Sequence, residues 1–116
     1  MVTSNELRTW ALALPEAMEA PHFEKTSFRI RKKIFATLDH KAKKAVLKLS
    51  VIDQSVFSGY NSSIVYAVPG GWGKQGWTVF ELPKVRKSML KDALATAYCN
   101  VAPKRLAEKI TPVHPL

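Results

Sequence analysis

The chain has 116 residues, 47% of them hydrophobic and 23% charged, with a formal net charge of +9 and a single cysteine, Cys99. This is the composition of one globular domain rather than a disordered chain. It excludes an internal disulfide, a zinc site of Cys/His spacing and a membrane helix, which needs an apolar run of about 18 residues or more.

Thr3-Ser4-Asn5-Glu6 has the spacing of a capping box, in which the Thr3 hydroxyl and the Glu6 carboxylate satisfy the first free N–H groups of a helix. Leu7, Trp10, Ala11 and Leu14 follow on one helical face, and Pro15 ends the helix. Residues 17–22 are a short candidate strand. Phe28 and Ile30 then alternate with Arg29 and Arg31, the period of a strand with one apolar face. Lys32-Lys33 is the expected turn, residues 34–38 the next strand, residues 39–43 a polar connection and residues 44–49 a third strand of the same meander. Ile34 and Phe35 are both apolar, which leaves the register of the first hairpin open.

Ser50 and Asp53 mark a second helix start, and the helix is expected over residues 51–60. A strand falls within residues 62–68. The stretch from Pro69 to Trp77 holds four glycines and reads as a loop. Residues 77–82 have β-propensity. Beyond Pro83, Val85, Met89, Ala93, Ala97 and Val101 form one stripe of a long helix, with Leu90, Leu94 and Tyr98 beside it. Pro103 ends that helix or opens a short one holding Leu106 and Ile110. The expected domain is 1–110, with a loose tail over 111–116. Trp10 and Trp77 are expected in the core; Trp72, among glycines, reads equally as core or as an exposed stacking surface.

Several segments resemble the MmcQ/YjbR family. They are Thr26-Ser27-Phe28-Arg29-Ile30-Arg31, Lys33-Ile34-Phe35-Ala36-Thr37-Leu38 and Ala45-Val46-Leu47-Lys48-Leu49-Ser50, then Val68-Pro69, Gly71-Trp72-Gly73 and Gly76-Trp77, and finally Tyr98 with Val101-Ala102-Pro103-Lys104. The resemblance implies an α+β, two-layer sandwich: an antiparallel sheet with helices on one face, in the order α-β-β-β-α-β-β-α. It also implies a bacterial protein that binds DNA through a double wing of hairpins; the lone cysteine and the lack of a signal-peptide pattern or apolar span point to the cytoplasm. Many relatives have glycine where this chain has Lys32.

Charge gives that expectation a physical form. Residues 25–48 hold nine cations (Lys25, Arg29, Arg31, Lys32, Lys33, Lys41, Lys43, Lys44 and Lys48) against one acid, Asp39. Residues 74–116 hold eight more against three acids, whereas residues 1–24 are net acidic. Arg29 and Arg31, on one strand face, stand roughly 7 Å apart at the usual rise per residue, close to the spacing of neighbouring phosphates. Arg29, Arg31, Lys32, Lys33, Lys41, Lys43 and Lys44 are therefore the expected phosphate contacts, with Trp72 and Lys74 auxiliary. Lysines that merely protect a sheet edge are the alternative to this reading.

Catalysis has little support. His22, His40 and His114 are scattered. Cys99 lies beside a helical core stripe, and no serine sits in a nucleophile elbow. Gly70-Gly71-Trp72-Gly73-Lys74 lacks the spacing of a phosphate-binding loop. No cofactor, metal or membrane contact is expected. The competing role is a protein-interaction or homodimerising module, which an exposed apolar patch including Val46, Phe57 and Tyr60 would favour.

Overall fold

The computed structural model describes residues 1–110; residues 111–116, with the expected tail and His114, lie outside the described residues. Thr3 caps helix α1 (Ser4–Leu12) through the capping box, its hydroxyl accepting from the Glu6 N–H at 3.1 Å and the Glu6 carboxylate from the Thr3 N–H at 3.0 Å. Then come β1 (Met18–His22), β2 (Lys25–Ile30), β3 (Lys33–Asp39) and β4 (Lys44–Lys48), an antiparallel meander. Ser50 caps α2 (Val51–Ser58), which ends two residues before the expected Tyr60. β5 (Val65–Ala67), α3 (Gly71–Lys74), β6 (Trp77–Glu81), α4 (Lys87–Val101) and α5 (Lys104–Ala107) complete the described chain. The sheet order is β1-β2-β3-β4-β6-β5. The expected sandwich holds, with a sixth strand, β1, at one edge and two single-turn helices, α3 and α5.

The core lies between one sheet face and the helices. Phe28, Ala36, Leu38, Ala45, Leu47 and Phe80 point inward, and Leu90, Ala93, Leu94, Ala97 and Tyr98 of α4 close over them. The Phe35 and Tyr98 rings meet edge-on at 5.6 Å, and Phe57 of α2 meets Phe80 at 6.0 Å. The Tyr98 hydroxyl donates to the Pro15 carbonyl at 2.6 Å, which anchors the chain just beyond α1 to α4. Cys99 is a packing residue as expected: it sits against the core, and burial pushes its thiol pKa up.

Two corrections to the expected elements bear on the site. First, the β2–β3 turn is Arg31-Lys32, not Lys32-Lys33. Both turn residues have positive φ (51° and 71°), and Ile30 pairs with Lys33. This is the backbone of a two-residue type I′ hairpin. A bulge absorbs the offset: Arg29 pairs with Ile34 but Phe28 with Ala36, so Phe35 has no partner and Phe35 and Ala36 are both buried.

Second, the glycine-rich loop contains helix α3, folded hard against its neighbours. A Cβ on Gly73 would lie 1.9 Å from the Val68 carbonyl oxygen, and one on Gly76 (φ 103°) 1.8 Å from that of Leu49. Trp77 opens β6 only half-buried and outside the core. Its ring meets the edge of the exposed Trp72 at 6.3 Å, and the Lys48 ammonium stands 5.9 Å above it. Trp77 alternates with the inward Thr78 and so falls on the face away from the helices. Trp10 is half-buried against the core, with Lys91 over its ring at 4.9 Å.

Candidate nucleic-acid interface

Register decides where each cation goes. The sheet face away from the helices has a middle row of Ala20, Ser27, Thr37, Val46, Val79 and Tyr66, paired strand to strand. This row is uncharged. Beside it, Asp39, Lys44 and Glu81 pair across β3, β4 and β6. Lys44 lies 3.5 Å from Glu81, and its pKa is raised by the Tyr66 hydroxyl and the Glu81 charge. Tyr66 itself donates to Glu81. Lys44, one of the expected phosphate contacts, is thus paired with a carboxylate.

Arg29 and Arg31 do not share a strand face. Arg29 is half-buried on β2; its Nε donates to Ser27 Oγ at 2.9 Å and its guanidinium reaches the Pro21 carbonyl. Arg31 has left the strand for the turn, where its Nε donates to Glu16 Oε1 at 2.9 Å. The one-residue shift of the turn is the reason: alternation cannot extend past Ile30.

The two hairpin tips also stand apart. Arg31-Lys32 precedes β3 and residues 40–43 follow it, so seven residues of strand separate the tips, about 20 Å at the usual rise. At the far tip Asp39 Oδ1 accepts from the Lys41 and Ala42 N–H groups at 3.1 and 3.0 Å, which shapes the turn and leaves the Lys41 and Lys43 side chains exposed. Among the described residues Lys32, Lys33, Lys41, Lys43 and Lys74 form no salt bridge.

The near tip collects cations that lie far away in sequence. The Arg31 hydrogen bond is the main cause that lowers the Glu16 pKa, and the charges of Arg105 and Lys109 lower it further. The C-terminal segment folds back toward Glu16: the Cys99 thiol reaches the Ala107 and Ile110 carbonyls, and Tyr98 beside it donates to the Pro15 carbonyl next to Glu16. Lys32 and Lys33 adjoin Arg31 in the turn and are exposed, and Arg105 and Lys109, with the acid Glu108 between them, are exposed on that segment. Trp72 and Lys74 belong to the same end of the sheet, because Trp77 pairs with Lys48 and Lys48 closes the strand that runs back from the far tip. Sequence reasoning missed Arg105 and Lys109. The only signal was the excess of base over acid in residues 74–116, which does not say where those groups fold.

His40 Nε2 lies 3.3 Å from the Thr26 hydroxyl, and the His22 ring packs on Phe23. Among the described residues no group of three or more His, Cys, Asp or Glu side chains is placed to hold a metal ion, and no helix is long and apolar enough to cross a membrane.

Comparison with known proteins places the fold. A crystallised Deinococcus radiodurans protein, DR2400, with a DUF419 domain, superposes with a TM-score of 0.78 at 20% identity, over 94% of this chain and 88% of that one. Curated proteins give no match. The YjbR family model matches residues 12–100. The chain therefore belongs to the YjbR family.

Proposed function

We propose that this protein binds duplex DNA through phosphate contacts made at the β2–β3 end of the sheet, as a binding protein without a catalytic step. What supports it is that the exposed Lys32 and Lys33 adjoin Arg31, which pairs with Glu16, while the segment carrying the exposed Arg105 and Lys109 folds back toward Glu16. Cations from two distant segments converge there, and a surface of this kind draws a polyanion and releases its counterions. Lys41 and Lys43 at the other tip, about 20 Å away, reach a second stretch of the same duplex, about six base pairs along. Contacts of this type fix position and carry no base readout. Left out of the proposed contact set are Arg31 and Lys44, which already face carboxylates, and Arg29, which is half-buried against Ser27 and Pro21. Trp72 and Lys74 flank it.

The test is charge reversal at exposed positions, read by fluorescence anisotropy on a labelled duplex at about 50 mM salt. The Lys32→Glu/Lys33→Glu/Arg105→Glu variant is expected to weaken binding by about a hundredfold or more, with an unchanged circular dichroism spectrum. Lys41→Glu/Lys43→Glu has a smaller effect. Equal binding by wild type and the triple variant, or no binding by wild type at this salt, overturns the reading.

A further inference from the structure

The apolar residues of α2 pose a separate question. Phe57 faces inward onto Phe80, and Gln54 Nε2 donates to the Gly73 and Trp77 carbonyls and to Thr78 Oγ1. These contacts seat the helix firmly. Yet Ile52, Val56 and Tyr60, spaced by four residues, are 76%, 55% and 70% exposed, with Val51 beside them at 57%. Ile52 and Val56 lie along one line of the helix, and Tyr60, two residues past its end and after the helical C-cap Gly59, carries the apolar line on for about 12 Å in all. The core does not use this line, and the fold does not cover it.

At its Tyr60 end the stripe runs into a cleft of about 720 Å³ between α2, the segment before β5 and the start of α4. Phe57, Ile64, Val65, Val85 and Met89 give the cleft an apolar lining. Lys84 and Arg86 line it as well, against one acid, Asp92, and both cations are exposed. The surface as a whole is thus an apolar line that ends in net positive charge.

We propose that the Ile52–Val56–Tyr60 stripe and the adjoining cleft are a docking surface for an acidic amphipathic segment of another protein. Its apolar side lies along α2, and its carboxylates meet Lys84 and Arg86. Charge complementarity selects this occupant over a second copy. Each copy carries a net charge of +9, and the acid of α2 itself, Asp53, is already held by the Ser50 hydroxyl at the helix cap. Apolar anchors at i, i+4 and i+8 are the pattern by which a partner helix is read in a groove. This surface is distinct from the proposed DNA contacts, so either can fail alone.

The experiment pans a random 16-residue peptide library, displayed on phage, against the immobilised full-length chain. Enriched peptides are expected to combine helically spaced apolar residues with Asp or Glu. As synthetic peptides they bind wild type at least tenfold more tightly than Ile52→Glu and Arg86→Glu, both exposed positions where the fold, followed by circular dichroism, is unaffected. They bind Lys32→Glu as they bind wild type. No enrichment, enriched peptides without acidic residues, or binding lost in Lys32→Glu but kept in Arg86→Glu overturns the proposal. Sedimentation equilibrium of the chain alone supplies a further arm: a dimer that dissociates in Ile52→Glu gives this face to a second copy and overturns it too.

Discussion

Arg31 donates to Glu16 at 2.9 Å across fifteen residues of sequence, from a backbone position in the left-handed region. The pair ties the β2–β3 turn to the chain just beyond α1. Arg31 also holds the Glu16 carboxyl below its ordinary pKa of 4.5. The Lys87 ammonium does the same for Glu6, and the Ala42 N–H lowers Asp39 from 3.8. A carboxyl whose folded pKa is depressed stabilises the fold fully above its unfolded pKa. That contribution is lost as pH falls through the folded value, because the unfolded state takes up its proton first. Urea midpoints are therefore expected to hold from neutral pH down to about 5 and to decline below the ordinary carboxyl range. In Glu16→Gln the decline is shallower, and the gap from wild type closes at the acid end. An acid limb identical in the two proteins contradicts this role for the pair.

Lys32 occupies φ 71° in a turn where glycine carries no Cβ penalty. A left-handed residue other than glycine costs roughly 1–2 kcal/mol, and glycine returns part of that as unfolded-chain entropy. Lys32→Gly is expected to raise stability by about 0.5–1 kcal/mol in chemical denaturation. The same substitution removes a proposed phosphate contact, so duplex affinity is expected to fall as stability rises. Parallel movement of the two would show that the turn and the interface are not separable at this residue.

Gly76 and Gly71 lie five residues apart yet differ in what surrounds them. A methyl at Gly76 would meet the Leu49 carbonyl oxygen at 1.8 Å, where the Leu49 N–H also bonds to the Gly76 carbonyl; at Gly71 nothing lies within 4 Å. Gly76→Ala is expected to cost about 3 kcal/mol or more through combined backbone strain and displacement of β4. Gly71→Ala is expected to change stability by less than about 0.5 kcal/mol. Thermal melts of the two variants check the contrast, and similar melting temperatures would contradict it.

Local signals were legible in the sequence. Capping at Thr3 and Ser50, the alternation about Phe28 and Ile30 and through residues 44–49 and the stripe of α4 depend only on neighbours a few residues away, and they place the sandwich. The hairpin register was not legible, because Ile34-Phe35 hides a bulge and Arg31-Lys32 lacks the glycine that announces a type I′ turn. That single residue moved Arg31 from strand face to turn and brought it to Glu16. The candidate interface was legible only in part for the same reason. Lys32, Lys33, Lys41 and Lys43 stand in a charged run, whereas Arg105 and Lys109 reach the site through the packing of α5 and the residues after it. The separation of the two tips follows from β3 being a strand between two turns, which charge counting along the chain does not register.

The most direct test of the phosphate-contact account is the salt dependence of duplex binding. Lys32, Lys33, Arg105, Lys109, Lys41 and Lys43 as six phosphate contacts predict that log K falls against log salt with a slope of about −5.4. In a Lys32→Ala/Lys33→Ala variant two of these contacts are lost, and the slope relaxes to about −3.6. A slope near zero for the wild type, or one unchanged in the variant, contradicts the account.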